Sequence, residues 1–211
     1  MTSFSDMMEG HARFRERLSD ADIANWREQP KGQQPKVMVI SCVDSRVAPE
    51  QLLDTKPGEL FVMRNVANIV PPYAPDGRPH SVSSALEFAV TKLNVEELVV
   101  IGHQACGGVG ACLSRVFANA EPGDGGLVNA WVKTLDPARE RVVAKLGTDT
   151  GPEAQHALEL EGVRESLGNL MTYPFVRERV EDGTLKLRGA WFGIGDARLH
   201  VANEQGEFQP A

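Results

Sequence analysis

The chain has 211 residues, 42% of them hydrophobic and 24% charged, with a formal net charge of −7 at pH 7. That length suits one domain that buries its own core without covalent staples, and the acidic balance argues against a nucleic-acid partner, since a polyanion needs a basic surface. Three cysteines, Cys42, Cys106 and Cys112, are too few and too odd in number for a disulfide framework, and they point to a reducing, cytoplasmic setting. The N-terminal residues lack the apolar core of a secretory signal. No apolar run reaches the length of a membrane span, so no membrane partner is expected.

Residues 4–28 carry Phe4, Met7, Met8, His11, Phe14 and Leu18 at helical spacing, with Ser19 and Asp20 placed to cap a second helix. "QPKGQQP" then breaks the chain. "KVMVIS" (36–41) is a short β-branched run without alternation, as expected of a strand buried on both faces. "ELFVMRN" (59–65) and "EELVVIGH" (96–103) are two further strands. Between them "SVSSALEFAVTKLNV" reads as a helix capped by a serine near position 81 or 83. After Cys106 the chain is mainly helical: "GGVGACLSRVFANA", "LVNAWVKTLDPARERVVAKL", "PEAQHALELEGVRESLGNLMT", and a short helix with Pro174 in its first turn. "LKLRGAWFGIG" and "ARLHVAN" read as closing strands around a turn at Gly195 and Asp196.

Strand, helix, strand in succession predicts an α/β fold. The expected architecture is a mostly parallel central sheet of four to five strands flanked by helices, with an N-terminal helical arm over residues 1–30. No repeat or interdomain linker interrupts residues 1–211, so they read as a single domain.

The chemistry gathers at two strand ends. Cys42 and Asp44 follow the first strand, and His103 and Cys106 follow the third. Ligands of an open parallel sheet collect outside the carboxyl ends of its strands, where the connections diverge, so C-x-D and H-x-x-C converge there. Thiolate, imidazole and carboxylate are the ligand types of zinc. Cys42, His103 and Cys106 leave a fourth tetrahedral position, open to water in a catalytic site or filled by Asp44 in a closed one. Arg46 bears on that choice: a guanidinium that grips Asp44 through two parallel bonds keeps it ionised and draws it away from the metal. Gly107 and Gly108 let backbone approach closely and open the next helix. Cys112, behind the site, reads as core. His11, His80, His156 and His200 lack ligand-like neighbours. "GGVG" at 107–110 falls short of a dinucleotide fingerprint, and the absence of a C-x-x-C pair disfavours thiol redox chemistry.

"CVDSR", "RNVAN" and "GHQACGG" resemble the three signature segments of β-class carbonic anhydrases, and "IVPPY", "ALEFAV" and "ESLGNLMTYPFVRERV" resemble the plant-type branch. The resemblance runs from about Gln33 to about Trp191. It implies one Zn²⁺ per subunit held by Cys42, His103 and Cys106, with Asp44 and Arg46 as the catalytic dyad. It further implies that Gln33 hydrogen-bonds carbon dioxide or bicarbonate and that Phe61, Val66 and Phe88 line a small apolar pocket. Gly107 is grouped with these substrate-binding residues. The implied assembly is a homodimer or a higher homo-oligomer whose N-terminal helices embrace the partner subunit. The implied reaction is reversible hydration of carbon dioxide through a zinc-bound hydroxide, with activity rising towards alkaline pH because two thiolates cancel the charge of the ion. Val39 and Phe192 stand where the bicarbonate-regulated subclass has tryptophan and tyrosine, so the open, unregulated state is expected. The alternatives are a carbon disulfide or carbonyl sulfide hydrolase on the same scaffold, and a non-catalytic zinc-stabilised sensor with a closed four-ligand site.

Overall fold

A computed structural model describes residues 3–211, which divide into two units, 3–34 and 35–211. In the first, α1 (Phe4–Arg17) and α2 (Asp20–Glu28) each begin with a capping box, Ser3 with Asp6 and Ser19 with Asp22. Phe14 packs edge-on against Trp26, with ring centroids 6.2 Å apart. Phe4, Met7 and Met8 are all more than half exposed, so the apolar spacing of α1 does not serve a core.

The second unit is built on a sheet. Its first strand, β1 (Val37–Cys42), is followed by the short α3 (Pro49–Leu52) and by β2 (Leu60–Asn65). Next come α4 (Ser81–Glu87), extended by a π-turn at Phe88–Lys92, and β3 (Glu97–His103). The helical stretch comprises α5 (Gly107–Ser114), α6 (Gly126–Val132), α7 (Asp136–Leu146), α8 (Gly151–Leu170) and α9 (Pro174–Glu181). It leads to β4 (Lys186–Gly193), β5 (Arg198–Ala202) and β6 (Phe208–Pro210).

The strand order is β2-β1-β3-β4-β5-β6. The first four strands are parallel, and β5 and β6 add antiparallel pairs at one edge. The expected four to five strands are thus six. β6 has three residues and ends on Pro210, which carries no alternation to read. The serine cap expected for α4 is also replaced: His80 occupies the cap position without a side-chain bond, and Ser84 Oγ instead donates to the His80 carbonyl. The helix after Cys106 is shorter than its periodicity suggests, because Arg115 turns left-handed (φ 52°) and stops α5 at Ser114.

One sheet face is sealed by a large core. Met38, Ile40, Leu98 and Val100 pack with Leu86 and Val90 of the α4 segment, Val163 and Leu170 of α8, and Val176 of α9. At about 25 cal/mol per Å², each such fully buried side chain contributes roughly 1.5–3 kcal/mol. The opposite face carries a smaller cluster around Val39, Ile101 and Ala190.

The chain runs from β1 outward to β2, then crosses back to place β3 on the other side of β1. Connections therefore diverge between β1 and β3, and the crevice outside their carboxyl ends is where such a sheet presents ligand-binding groups.

Candidate metal centre

Cys42 is the last residue of β1, His103 the last of β3, and Cys106 the N-cap residue of α5. All three are buried, at 4%, 1% and 1% exposure, and their ligand atoms lie within 4.8 Å of one another. The two sulfurs are 3.9 Å apart. A tetrahedral zinc with Zn–S bonds of about 2.3 Å sets them about 3.8 Å apart.

The imidazole is oriented for coordination. His103 Nδ1 lies 2.9 Å from the Gln104 carbonyl, an acceptor, which fixes the proton on Nδ1. Its Nε2 is then a buried lone pair with no hydrogen-bond partner, an arrangement that costs free energy unless something accepts that pair. The thiols make the same demand. Hydrogen bonding from Cys106 favours the Cys42 thiolate, and that neighbour together with burial pushes the Cys106 thiol upward. Two thiolates and a neutral imidazole at this burial fit a divalent cation of borderline softness.

Asp44 sits beside this triangle, with Oδ2 4.0 Å from His103 Nε2. Arg46 grips it from the other side, Nε donating to Oδ1 at 2.9 Å and Nη2 to Oδ2 at 2.7 Å, while the Arg46 backbone N–H also donates to Oδ1. That grip holds the Asp44 carboxyl well below the usual carboxylate range. Arg64, from β2, ties down the surrounding main chain by donating to the carbonyls of Cys42 and Asp44, both at 2.8 Å.

The remaining expected site residues divide. Val66 follows Asn65, the residue in register with Cys42, and packs in the cluster that contains Cys42 and Cys106. Phe61 is in register with Met38, four residues below Cys42 and so roughly 13 Å down the strand from it. Phe61 stacks with Phe88 at a centroid distance of 5.9 Å, and Phe88 is 46% exposed. The structure therefore brings Val66 to the ligand cluster but keeps the Phe61–Phe88 pair away from it. Gln33 belongs to the N-terminal unit. Of the two glycines that open α5, only Gly108 needs to be one: a Cβ there would lie 2.6 Å from Val66 Cγ1, whereas at Gly107 it would meet nothing within 4 Å.

Sequence reasoning missed a brace under Cys106. The Cys106 N–H donates to Glu159 Oε1 at 3.2 Å, and its carbonyl accepts from Gln155 Nε2 at 3.0 Å. Gln155 also donates to Glu159 Oε1, and the Trp191 indole donates to Oε2. The signal was present in α8, where Glu159 is the one charged side chain among the buried residues Ala154, Leu158, Gly162, Val163, Ser166, Asn169 and Leu170. A charge on a buried helix face is rarely left unpaired.

The carbonic anhydrase family model matches residues 37–199, which spans every residue of the metal centre and its bracing side chains. The chain belongs to the β-carbonic anhydrase family. It is 42% identical over 163 residues to beta carbonic anhydrase 3 of Arabidopsis thaliana, covering 77% of this chain and 62% of that one. It is 37% identical over 194 residues to the mitochondrial beta carbonic anhydrase 6 of the same plant, covering 92% and 66%. The chain thus spans just under two thirds of the length of these curated relatives. Among solved structures, the β-carbonic anhydrase CcaA superposes with a TM-score of 0.91 at 27% identity, covering 98% of this chain and 91% of that one. β-Carbonic anhydrases use zinc, and Cys42, His103 and Cys106 form the candidate zinc-binding group. Among the described residues, no helix is long and apolar enough to cross a membrane.

Proposed function

We propose that this protein catalyses the reversible hydration of carbon dioxide to bicarbonate and a proton. The observation that carries the reading is the pairing of an orphaned His103 Nε2 and two facing thiols with an aspartate held aside by an arginine. Cys42, His103 and Cys106 would hold the zinc ion, which would supply Lewis acidity to a water near neutral pH. Asp44, kept ionised by Arg46, acts as a hydrogen-bond acceptor beside the metal position and orients the attacking oxygen. Arg46, by holding both carboxylate oxygens, keeps Asp44 from turning onto the ion that the three ligands would hold. Val66 gives an apolar wall suited to a small, uncharged substrate.

Phe61, Phe88 and Gln33 complete the substrate site across a homodimer interface. The distance of the Phe61–Phe88 pair from its own Cys42, and the exposure of Phe88, support a role at the partner's site. The exposed Phe4, Met7 and Met8 support an arm that packs on the partner subunit. On this reading residues 1–211 form one catalytic domain with an appended arm. Three free cysteines suit a reducing compartment, for which we propose the cytoplasm. The grip on Asp44 supports the open site, and Val39 and Phe192, both buried, leave it without bicarbonate regulation.

Carbonyl sulfide and carbon disulfide hydrolases would share the metal ligands, so a panel of the three substrates separates the readings. Hydration of carbon dioxide alone is expected. Turnover confined to a sulfur analogue contradicts the proposal, and zinc bound with no turnover on any of the three indicates a sensor.

A further inference from the structure

The turn between β4 and β5 reaches the metal centre through one exposed side chain. Gln104 follows His103, and three of its groups are committed. Its backbone N–H donates to the Phe192 carbonyl at 2.9 Å, and its Oε1 accepts from the Gly195 N–H at 2.8 Å. Its carbonyl is the acceptor for His103 Nδ1. The next residue, Ala105, is left-handed (φ 52°), a conformation that costs a non-glycine residue roughly 1 kcal/mol and persists only when its surroundings impose it. The Gln104–Ala105 peptide therefore needs holding. Arg46 Nη2 holds the following peptide, through the Ala105 carbonyl at 3.2 Å, and the Gly195 N–H holds the Gln104 side chain itself. The turn is shaped for this contact: a Cβ on Gly195 would lie 3.3 Å from Gln104 Oε1.

We propose that Gln104 is a positioning residue: by accepting from Gly195 it pins the peptide whose carbonyl orients His103, and so couples the β4–β5 turn to retention of the metal. This inference rests on the reading of Cys42, His103 and Cys106 as a zinc site. Gln104 touches neither metal nor substrate and acts only through His103. A group that orients a ligating histidine typically governs metal affinity by 10–100-fold.

The test is zinc release to a chromogenic chelator from full-length wild type, Gln104→Ala, Gln104→Met and Gln104→Glu, with the visible ligand-field spectrum of each cobalt-substituted protein. Gln104→Ala and Gln104→Met, which lack the acceptor, should release zinc about tenfold faster or more and shift the cobalt bands. Gln104→Glu keeps the acceptor and should restore both readouts. Thermal unfolding of the zinc-free proteins should be alike, because the side chain is exposed. Wild-type rates and spectra in the alanine and methionine variants overturn the inference, as does a glutamate variant that loses zinc as fast as alanine. A wild type that retains no zinc instead overturns the zinc reading itself.

Discussion

Arg46 holds Asp44 by two parallel bonds of 2.9 and 2.7 Å while Asp44 Oδ2 stays 4.0 Å from His103 Nε2. The carboxylate is thus near the metal position but committed elsewhere. Removing the guanidinium frees it to approach the cation. Arg46→Ala should retain zinc and lower carbon dioxide hydration by roughly tenfold or more, within the range for loss of one oriented group. Unchanged turnover by stopped-flow would show that the grip is an ordinary exposed ion pair.

Asp44→Asn keeps the shape of the side chain and removes its charge. It should also retain zinc, because the three ligands do not include Asp44, and lose roughly 10²-fold in turnover. Metal analysis beside the rate separates the two effects. Loss of zinc from this variant would place Asp44 among the ligands.

Gly108 and Gly107 should behave oppositely. A Cβ at 108 would fall 2.6 Å from Val66 Cγ1 and 3.0 Å from Ala67 Cβ, with no such contact at 107. Gly108→Ala should destabilise the fold by about 1–3 kcal/mol in urea unfolding. Gly107→Ala should leave stability nearly unchanged, so a fall in its activity would report on the substrate site rather than the fold.

Burial pushes the Cys112 thiol from its ordinary 9.0 to about 11, with Asp136 adding to the shift. A raised folded value means the associated stability is whole below pH 9 and is lost as pH climbs through 11, because the unfolded thiol ionises first. The loss amounts to about 3 kcal/mol at most. Wild type should therefore lose stability between pH 9 and 11 more steeply than Cys112→Ala, followed by urea unfolding at each pH. Parallel slopes would refute the assignment.

The parallel strands were readable because β1 and β3 are short runs rich in β-branched residues, without alternation, that end on chemically distinctive residues. The candidate metal ligands were readable because C-x-D and H-x-x-C fall at those ends, where the structure brings Cys42, His103 and Cys106 together. β6 was not, since three residues ending in proline carry no period. The buried charge of Glu159 was visible in the pattern of α8, but its partner, a backbone group 53 residues away, was not. Gln104 was overlooked for a related reason. Its partner is the backbone N–H of Gly195, and backbone groups look alike in every sequence. The π-turn at Phe88 was likewise hidden, because FAVTK reads as ordinary helix.

Whether a zinc ion held by Cys42, His103 and Cys106 drives carbon dioxide hydration is read by stopped-flow indicator assays across pH on zinc-verified protein. Rapid hydration should rise towards alkaline pH, disappear when zinc is stripped and return when it is restored. No hydration with one zinc bound per chain, or a rate indifferent to zinc, would contradict it.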